Sequence, residues 1–110
     1  MITVFEVWHL KPQYRGSTLQ VMQEMDELVG PPAHRDPAWS GHARFYQSRD
    51  RPDLVLMVYA WRSIEDHKRL AAAEDPMLRS FVERYCSAPR EISYHDELPV
   101  DVDHDDLSLS

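Results

Sequence analysis

The stretch Leu54-Val-Leu-Met-Val-Tyr-Ala-Trp61 decides the fold, because it is an unbroken apolar run in the middle of the chain. Its β-branched and aromatic residues favour a strand, and a continuous apolar run is typical of a strand that is covered on both faces. Successive side chains of a strand point to opposite sides of the sheet. One face therefore carries Leu54, Leu56, Val58 and Ala60, and the other carries Val55, Met57, Tyr59 and Trp61.

Three other segments carry strand-forming residues. Residues 2–10 are rich in β-branched and aromatic side chains and end at Lys11-Pro12, which predicts the first strand. Residues 42–48 alternate between apolar and polar side chains and predict the second strand. Residues 91–98 lie between two prolines and predict the last strand. The apolar run is then the third of four strands.

Two helices lie between these strands. Ser17 begins the first, where its side chain can cap free backbone N–H groups, and apolar residues then recur every three or four positions. Gly30-Pro31-Pro32 is expected to end this helix, because proline has no N–H and its ring clashes with the preceding turn. Ser63 begins the second helix, which Asp75-Pro76 is expected to break. The order β-α-β-β-α-β predicts an α+β fold of the ferredoxin-like type, an antiparallel sheet with both helices on one face.

The second face of the sheet is also apolar, although both predicted helices cover the first. Beside the third strand, Phe5 and Val7 give the first strand an apolar second face as well. A continuous exposed apolar patch of this size is unusual on a monomer. We therefore predict a homodimer in which two sheets pack face to face about a two-fold axis.

Length and charge bound the possible functions. We place one domain at residues 1–98 and an acidic tail at residues 99–110, which holds four Asp and no Lys or Arg. The net charge of −7 disfavours a nucleic-acid partner, which requires a basic surface. No apolar run approaches the roughly 20 residues that cross a bilayer, so no membrane partner is expected. The single cysteine, Cys86, fits a reducing compartment and predicts a cytoplasmic protein.

Two short motifs resemble a known family. In Val58-Tyr-Ala-Trp-Arg-Ser-Ile-Glu-Asp-His67 a strand ends in an aromatic residue and a Trp before a Ser-capped helix, and this resembles the antibiotic biosynthesis monooxygenase-like family of dimeric α/β barrels. The opening Phe5-Glu-Val-Trp-His-Leu-Lys-Pro12 is similar to the related stress-response and NIPSNAP-type domains, where a strand runs into a Lys-Pro turn. The resemblance covers residues 1–98 and implies the same ferredoxin-like fold and a dimeric barrel.

The resemblance implies several activities, since the family includes cofactor-free oxygenases of aromatic polyketides, haem-degrading enzymes and polyketide cyclases. Haem-degrading members use a helix Trp and a helix His, whose positions fall near Leu70 and Ser80 here, so haem degradation is disfavoured. A helix His that is frequent in the family also falls on Leu70, with His67 nearly one turn earlier. The resemblance to the cofactor-free members of the family then implies no cofactor and no metal.

His67, Trp61 and His9 are the candidate catalytic residues. His67 lies one and a half turns into the second helix, where it can point towards Trp61 and a ligand or stand in solvent. Trp61 can orient a planar ring, although an aromatic residue on a central strand more often belongs to a core or dimer interface. His9 shares a side of its strand with Phe5 and Val7, and it borders an internal pocket only if that side faces the helices.

Five further residues are candidates for substrate binding. Tyr59 shares a strand face with Trp61. Arg44 and Tyr46 on the second strand can anchor a phenolate or carboxylate, or can form a solvated row. Met22 and Met25 on the first helix offer an adaptable apolar wall, or simply pack in the core.

These features predict a small-molecule pocket protein that takes a hydrophobic or aromatic ligand. The family resemblance implies that it oxygenates an aromatic or polyketide-like metabolite without metal or flavin. A polyketide cyclase or isomerase on the same fold is one alternative, and a non-catalytic ligand-binding or interaction module is another.

Overall fold

The computed structural model describes residues 1–103 of the chain. Its elements, in chain order, are strand β1 (Ile2–His9), helix α1 (Thr18–Arg35), strands β2 (Arg44–Gln47) and β3 (Leu54–Trp61), helix α2 (Ile64–Tyr85) and strand β4 (Glu91–His95), with a 3-10 turn at Pro12–Tyr14. This order confirms the predicted α+β, ferredoxin-like fold. No helix among the described residues is long and apolar enough to span a bilayer.

The four strands form one antiparallel sheet in the order β2-β3-β1-β4. β1 and β3 pair along their whole length, with Phe5 opposite Val58 and Trp8 opposite Val55. The predicted division of β3 into two apolar faces is confirmed by its alternating burial. The buried face, under the helices, holds Val55, Met57, Tyr59 and Trp61, and the half-buried face holds Leu54, Leu56, Val58 and Ala60.

The core lies between the sheet and the two helices. Strand β1 contributes Val4 and Trp8 to this core. The Trp8 ring packs edge-on against Phe81 of α2, with the ring centroids 5.8 Å apart. Helix α1 contributes Met25, which is 1% exposed. Burial of a large apolar side chain contributes about 1.5–3 kcal/mol, so these few residues do much to hold both helices on one face of the sheet.

The prediction that Gly30-Pro31-Pro32 ends the first helix is wrong, because α1 continues to Arg35. Each proline removes the hydrogen bond of its own N–H and crowds the preceding turn, and both effects are local. Packing holds the last turn in place, since Ala33 lies against the core and the His34 ring packs on Trp39. At the other end, Ser17 occupies the N-cap position as predicted, but its side chain makes no capping hydrogen bond to the described residues.

The predicted break at Asp75-Pro76 is also wrong, because α2 is one helix of 22 residues. Leu70 before the proline and Leu78 after it are both buried against the core, so packing on both sides keeps the helix continuous. Ser63 caps α2 as predicted, since its hydroxyl oxygen accepts the Asp66 backbone N–H at 3.1 Å.

Two strands are shorter than predicted. β2 covers only Arg44–Gln47 and β4 ends at His95. Both lie at the edges of the sheet, where pairing on one side only leaves the strand ends unsupported. Of the proposed acidic tail, residues 99–103 carry neither strand nor helix, and residues 104–110 lie outside the described residues.

Candidate active site

A cavity of about 350 Å³ opens between the sheet and helix α1. Its apolar wall combines Met22 and Met25 from α1 with Met57 and Trp61 from β3. The 3.6-residue period of α1 and the two-residue period of β3 aim these side chains at one another. The volume lies within the range of about 300–1,000 Å³ that is usual for small-molecule pockets.

The cavity lining also includes a buried charged cluster of Glu6, Glu74 and Arg90. Glu6 sits on the inward face of β1, between Val4 and Trp8, and is only 1% exposed. Arg90 donates to Glu6 Oε1 at 2.9 Å and to Glu74 Oε1 at 3.1 Å. One guanidinium therefore bridges two buried carboxyl groups, which leaves the cluster one positive charge short when both are ionised.

The Glu74 carboxyl has a perturbed affinity for protons. Burial, together with the neighbouring charge of Glu6, outweighs the attraction of Arg90 and raises the pKa of Glu74 to about 7. A carboxyl group with this pKa exists in both protonation states at neutral pH, as a general acid or base requires. Because Glu74 lines the cavity, it can act on a bound ligand.

Hydrogen bonds link the charged cluster to two tyrosines and a histidine. The Tyr59 hydroxyl donates to Glu6 Oε2 and also bonds the His67 Nε2 atom. The other ring nitrogen of His67, Nδ1, lies 3.0 Å from the Tyr94 hydroxyl. The four residues come from β1, β3, α2 and β4, so the hydrogen-bonded row crosses the domain from the cavity to an edge strand.

Burial sets the protonation states of this row. His67 is fully buried, and desolvation lowers its pKa, so the ring is neutral at pH 7. Burial, reinforced by the charge of Glu6, raises the pKa of Tyr59 far above its usual range. Tyr59 therefore stays protonated and serves as a hydrogen-bond donor.

Three aromatic rings surround one end of the cavity. His34 at the end of α1 packs against Trp39 and His42, with the three ring centroids 5.2–5.5 Å apart. All three residues border the cavity. The three rings meet edge-on, and such rings offer aromatic faces and edges to a planar ligand.

Five of the residues chosen from the sequence border the cavity, namely Trp61, Tyr59, Met22, Met25 and Tyr46. Tyr46 is half exposed on edge strand β2 and pairs with Leu56 of the outer face, so it meets the cavity only at the rim. His67 is buried behind Tyr59 and reaches the cavity only through that hydroxyl group. The alternative of a solvent-exposed His67 is therefore wrong.

His9 and Arg44 lie elsewhere. The inward face of β1 carries Val4, Glu6 and Trp8, so His9 points away from the helices, where its Nε2 lies 2.5 Å from Glu91. We expected His9 at the pocket only if the side of β1 with Phe5 and Val7 faced the helices, and that side faces away from them. Arg44 pairs with Val58, which puts it on the same outer face of the sheet and away from the cavity.

The sequence reasoning missed Glu6, Glu74 and Arg90. For Glu6 a signal existed, because a charged residue interrupts the inward apolar positions of the first strand. Such a residue is rarely fully buried unless it is paired. Glu74 and Arg90 carry no comparable signal, since acidic residues on helices and arginines in loops are ordinary surface residues. Among residues 1–103, no group of three or more His, Cys, Asp or Glu side chains could hold a metal ion.

Comparison with known proteins gives similarity of structure but not of sequence. No protein-family model matches the chain, and no curated protein matches it in sequence. One similar solved structure is an antibiotic biosynthesis monooxygenase, with a TM-score of 0.65, 14% identity, and coverage of 90% of this chain and 100% of that one. A second, from Bordetella bronchiseptica, is provisionally named an antibiotic biosynthesis monooxygenase and has a TM-score of 0.67, 14% identity, and coverage of 88% and 96%.

A third similar structure is a conserved protein from Methanosarcina mazei Go1, with a TM-score of 0.63, 13% identity, and coverage of 88% of this chain and 92% of that one. Identities this low establish the fold alone. The chain thus has the fold of the antibiotic biosynthesis monooxygenase structures, as the sequence resemblance implied.

Proposed function

We propose that the cavity binds a planar, hydrophobic metabolite of aromatic or polyketide type and that the chain oxygenates it without a cofactor. The observation that carries this proposal is an apolar cavity with a carboxyl group, Glu74, whose pKa is raised to about 7. Met22, Met25 and Trp61 supply apolar walls, and the carboxyl group supplies acid–base chemistry.

The chemistry needs a ligand with an acidic CH₂ group and molecular oxygen. Ionised Glu74 removes one proton from the CH₂ group, and the carbanion transfers its electrons to O₂ and bonds to it. Glu74 returns the proton to form a hydroperoxide. Removal of the second C–H proton then expels hydroxide, which takes that proton and leaves as water. One CH₂ group and one O₂ molecule thus become one C=O group and one H₂O molecule.

A polyketide cyclase or isomerase is the second candidate function. The same observation supports it, because Glu74 and Glu6 line one cavity and can remove and return protons without oxygen. The two functions differ in one measurable quantity, the consumption of O₂.

The functional unit that we propose is a homodimer. The face of the sheet away from both helices carries a half-buried apolar surface that includes Phe5, Val7, Leu56 and Val58. A second copy could cover this surface by sheet-on-sheet packing. We also propose a cytoplasmic location, which the lone Cys86 supports.

Oxygen-electrode measurements with anthrone, a planar compound with an acidic CH₂ group, test the proposed activity. We expect O₂ uptake by the wild type, at least a hundredfold slower uptake by Glu74→Gln, and slower uptake by Trp61→Phe. Arg79→Gln, on the same helix but outside the cavity, serves as the control. Turnover of an anthrone or polyketide under nitrogen would indicate the cyclase instead. If no planar ligand shifts the melting temperature, both enzyme functions are wrong.

Light scattering tests the homodimer. We expect the wild type to have twice the chain mass at micromolar concentration, and Leu56→Lys to have the mass of one chain. Met77→Lys, which changes a 40%-exposed residue on α2, is the matched control and should remain dimeric. A monomeric wild type would contradict the proposed dimer without affecting the cavity.

A further inference from the structure

We infer that Tyr94, His67, Tyr59 and Glu6 form a proton relay that joins solvent at the edge of the sheet to the cavity. In this relay Tyr94 and His67 are positioning residues that act through Tyr59, and Glu6 is the group that meets the ligand. The inference rests on the acid–base chemistry proposed for the cavity.

The direction of each hydrogen bond follows from the bond before it. Arg90 and Tyr59 both donate to Glu6, which is therefore an ionised acceptor. Since the Tyr59 hydrogen is used on Glu6, its oxygen must accept from His67 Nε2–H. A neutral His67 then has a bare Nδ1 atom, which accepts from the Tyr94 hydroxyl. All three bonds therefore point the same way, towards the cavity.

The two ends of the row differ in their access to water. Tyr94 is half-buried on β4, an edge strand of the sheet, whereas His67 is fully buried and Glu6 is 1% exposed. A proton can therefore pass from solvent to Glu6 through three hydrogen bonds. A water-filled channel is not needed for this transfer.

Proton transfer through the row balances at every atom. Solvent gives a proton to Tyr94, Tyr94 gives its own to His67 Nδ1, His67 gives its Nε2 proton to Tyr59, and Tyr59 gives its proton to Glu6. Glu6 becomes a neutral acid and His67 changes from the Nε2–H to the Nδ1–H tautomer. A proton that travels outward from Glu6 reverses each step and restores the first tautomer.

Nitrogen-15 NMR of histidine-labelled protein tests the hydrogen-bond row directly. At pH 7 we expect His67 to be neutral, with a proton on Nε2 and none on Nδ1. In Tyr94→Phe the Nδ1 resonance should shift because its hydrogen-bond donor is gone, whereas Tyr14→Phe, a tyrosine outside the row and the cavity, should leave it unchanged. A protonated Nδ1 atom or a charged ring in the wild type would overturn the relay.

Hydrogen exchange into anthrone in D₂O under nitrogen tests the transfer. The relay brings a solvent deuteron to Glu6, which can add it to the carbanion in place of the proton that Glu74 removed. We expect the wild type to incorporate deuterium at the CH₂ group, and Tyr94→Phe and Tyr59→Phe to do so at least tenfold more slowly, with Tyr14→Phe as the control. Exchange at the wild-type rate in both variants overturns the relay alone. A wild type that neither speeds exchange nor consumes O₂ overturns the proposed function together with the relay.

Discussion

Replacing Arg90 with Met is expected to destabilise the domain strongly. The Arg90 side chain is only 7% exposed and bonds two buried carboxyl groups, at 2.9 Å to Glu6 and at 3.1 Å to Glu74. Met keeps much of the side-chain volume but supplies no donor. Two carboxyl groups would then be buried without a partner cation.

The size of the effect follows from the cost of an unpaired buried charge. Removing one partner of a buried ion pair destabilises a protein by about 3–5 kcal/mol. The loss should depend on pH, since without the cation the pKa of Glu74 in the folded state rises further above the 4.5 of an unperturbed glutamate. Between these two pKa values the folded chain holds more protons than the unfolded chain, so its stability falls as the pH rises. We therefore expect a smaller loss at pH 5 than at pH 8.

Urea denaturation of the wild type and of Arg90→Met at pH 5, 7 and 8 measures these quantities. Arg69→Met is the matched control, because Arg69 also pairs with a carboxylate, that of Asp66, but is 74% exposed, and its loss should leave stability near that of the wild type. Adding Glu74→Gln to Arg90→Met should restore part of the stability. A loss below about 1 kcal/mol that does not vary with pH would refute the view of Arg90 as the partner of both carboxyl groups.

Four further measurements test the same structure. Because the pKa of Glu74 is raised from 4.5 to about 7, wild-type stability should fall as the pH rises through this window, and urea titrations of Glu74→Gln should show a flatter profile. Burial lowers the pKa of His67, so the stability that its neutral form contributes should be lost as the pH falls below about 6.5, and His67→Gln should lack this loss in the same titrations. Met25→Ala should cost about 2–5 kcal/mol, because Met25 is 1% exposed, and should admit larger ligands in a thermal-shift series; an unchanged ligand range would argue against its place in the wall. Burial raises the pKa of Cys86 to about 11, so native protein should react with iodoacetamide far more slowly than urea-unfolded protein does at pH 8.

The fold could be predicted from the sequence because the pattern of apolar residues along the chain decides it. The apolar run Leu54–Trp61 and the strand-forming residues around it place the strands, and these patterns depend only on which face of an element is buried. The two proline signals failed at Pro31 and Pro76 for a shared reason. A proline removes one backbone hydrogen bond, and packing of the flanking turns against the core outweighs that local loss.

The site could be predicted only in its apolar part. Met22, Met25, Tyr59 and Trp61 follow from periodicity, since a residue on the buried face of a helix or strand has a good chance of lining whatever space the core leaves open. The charged part depends on contacts between residues far apart in the chain. Arg90 is 84 residues from Glu6, and no spacing rule relates the two.

The assignment of the two faces of β1 decides which titratable residue of this strand lines the cavity. Placing Phe5, Val7 and His9 inward would put an imidazole at the cavity, whereas the structure puts Val4, Glu6 and Trp8 there. Because side chains alternate along a strand, the choice exchanges a histidine base for a buried carboxyl group that needs a cation. Glu6 in the otherwise apolar inward row was the residue that could have marked this face.

The buried charged cluster is better explained by chemistry than by stability. Desolvation of two carboxyl groups and a guanidinium offsets most of their mutual attraction, and well-packed apolar residues in the place of such a cluster are often equally stabilising or more so. Arg90 also lies over the Trp8 ring, at 5.6 Å from its centroid, where an apolar side chain could pack instead. The fold therefore does not require these charges. What they do provide is a carboxyl group, Glu74, that titrates near neutral pH at the wall of an apolar cavity, and a second, Glu6, that a hydrogen-bonded row connects to the edge of the sheet. An apolar ligand needs neither group for binding alone, so their presence favours a cavity that moves protons over one that only holds its ligand.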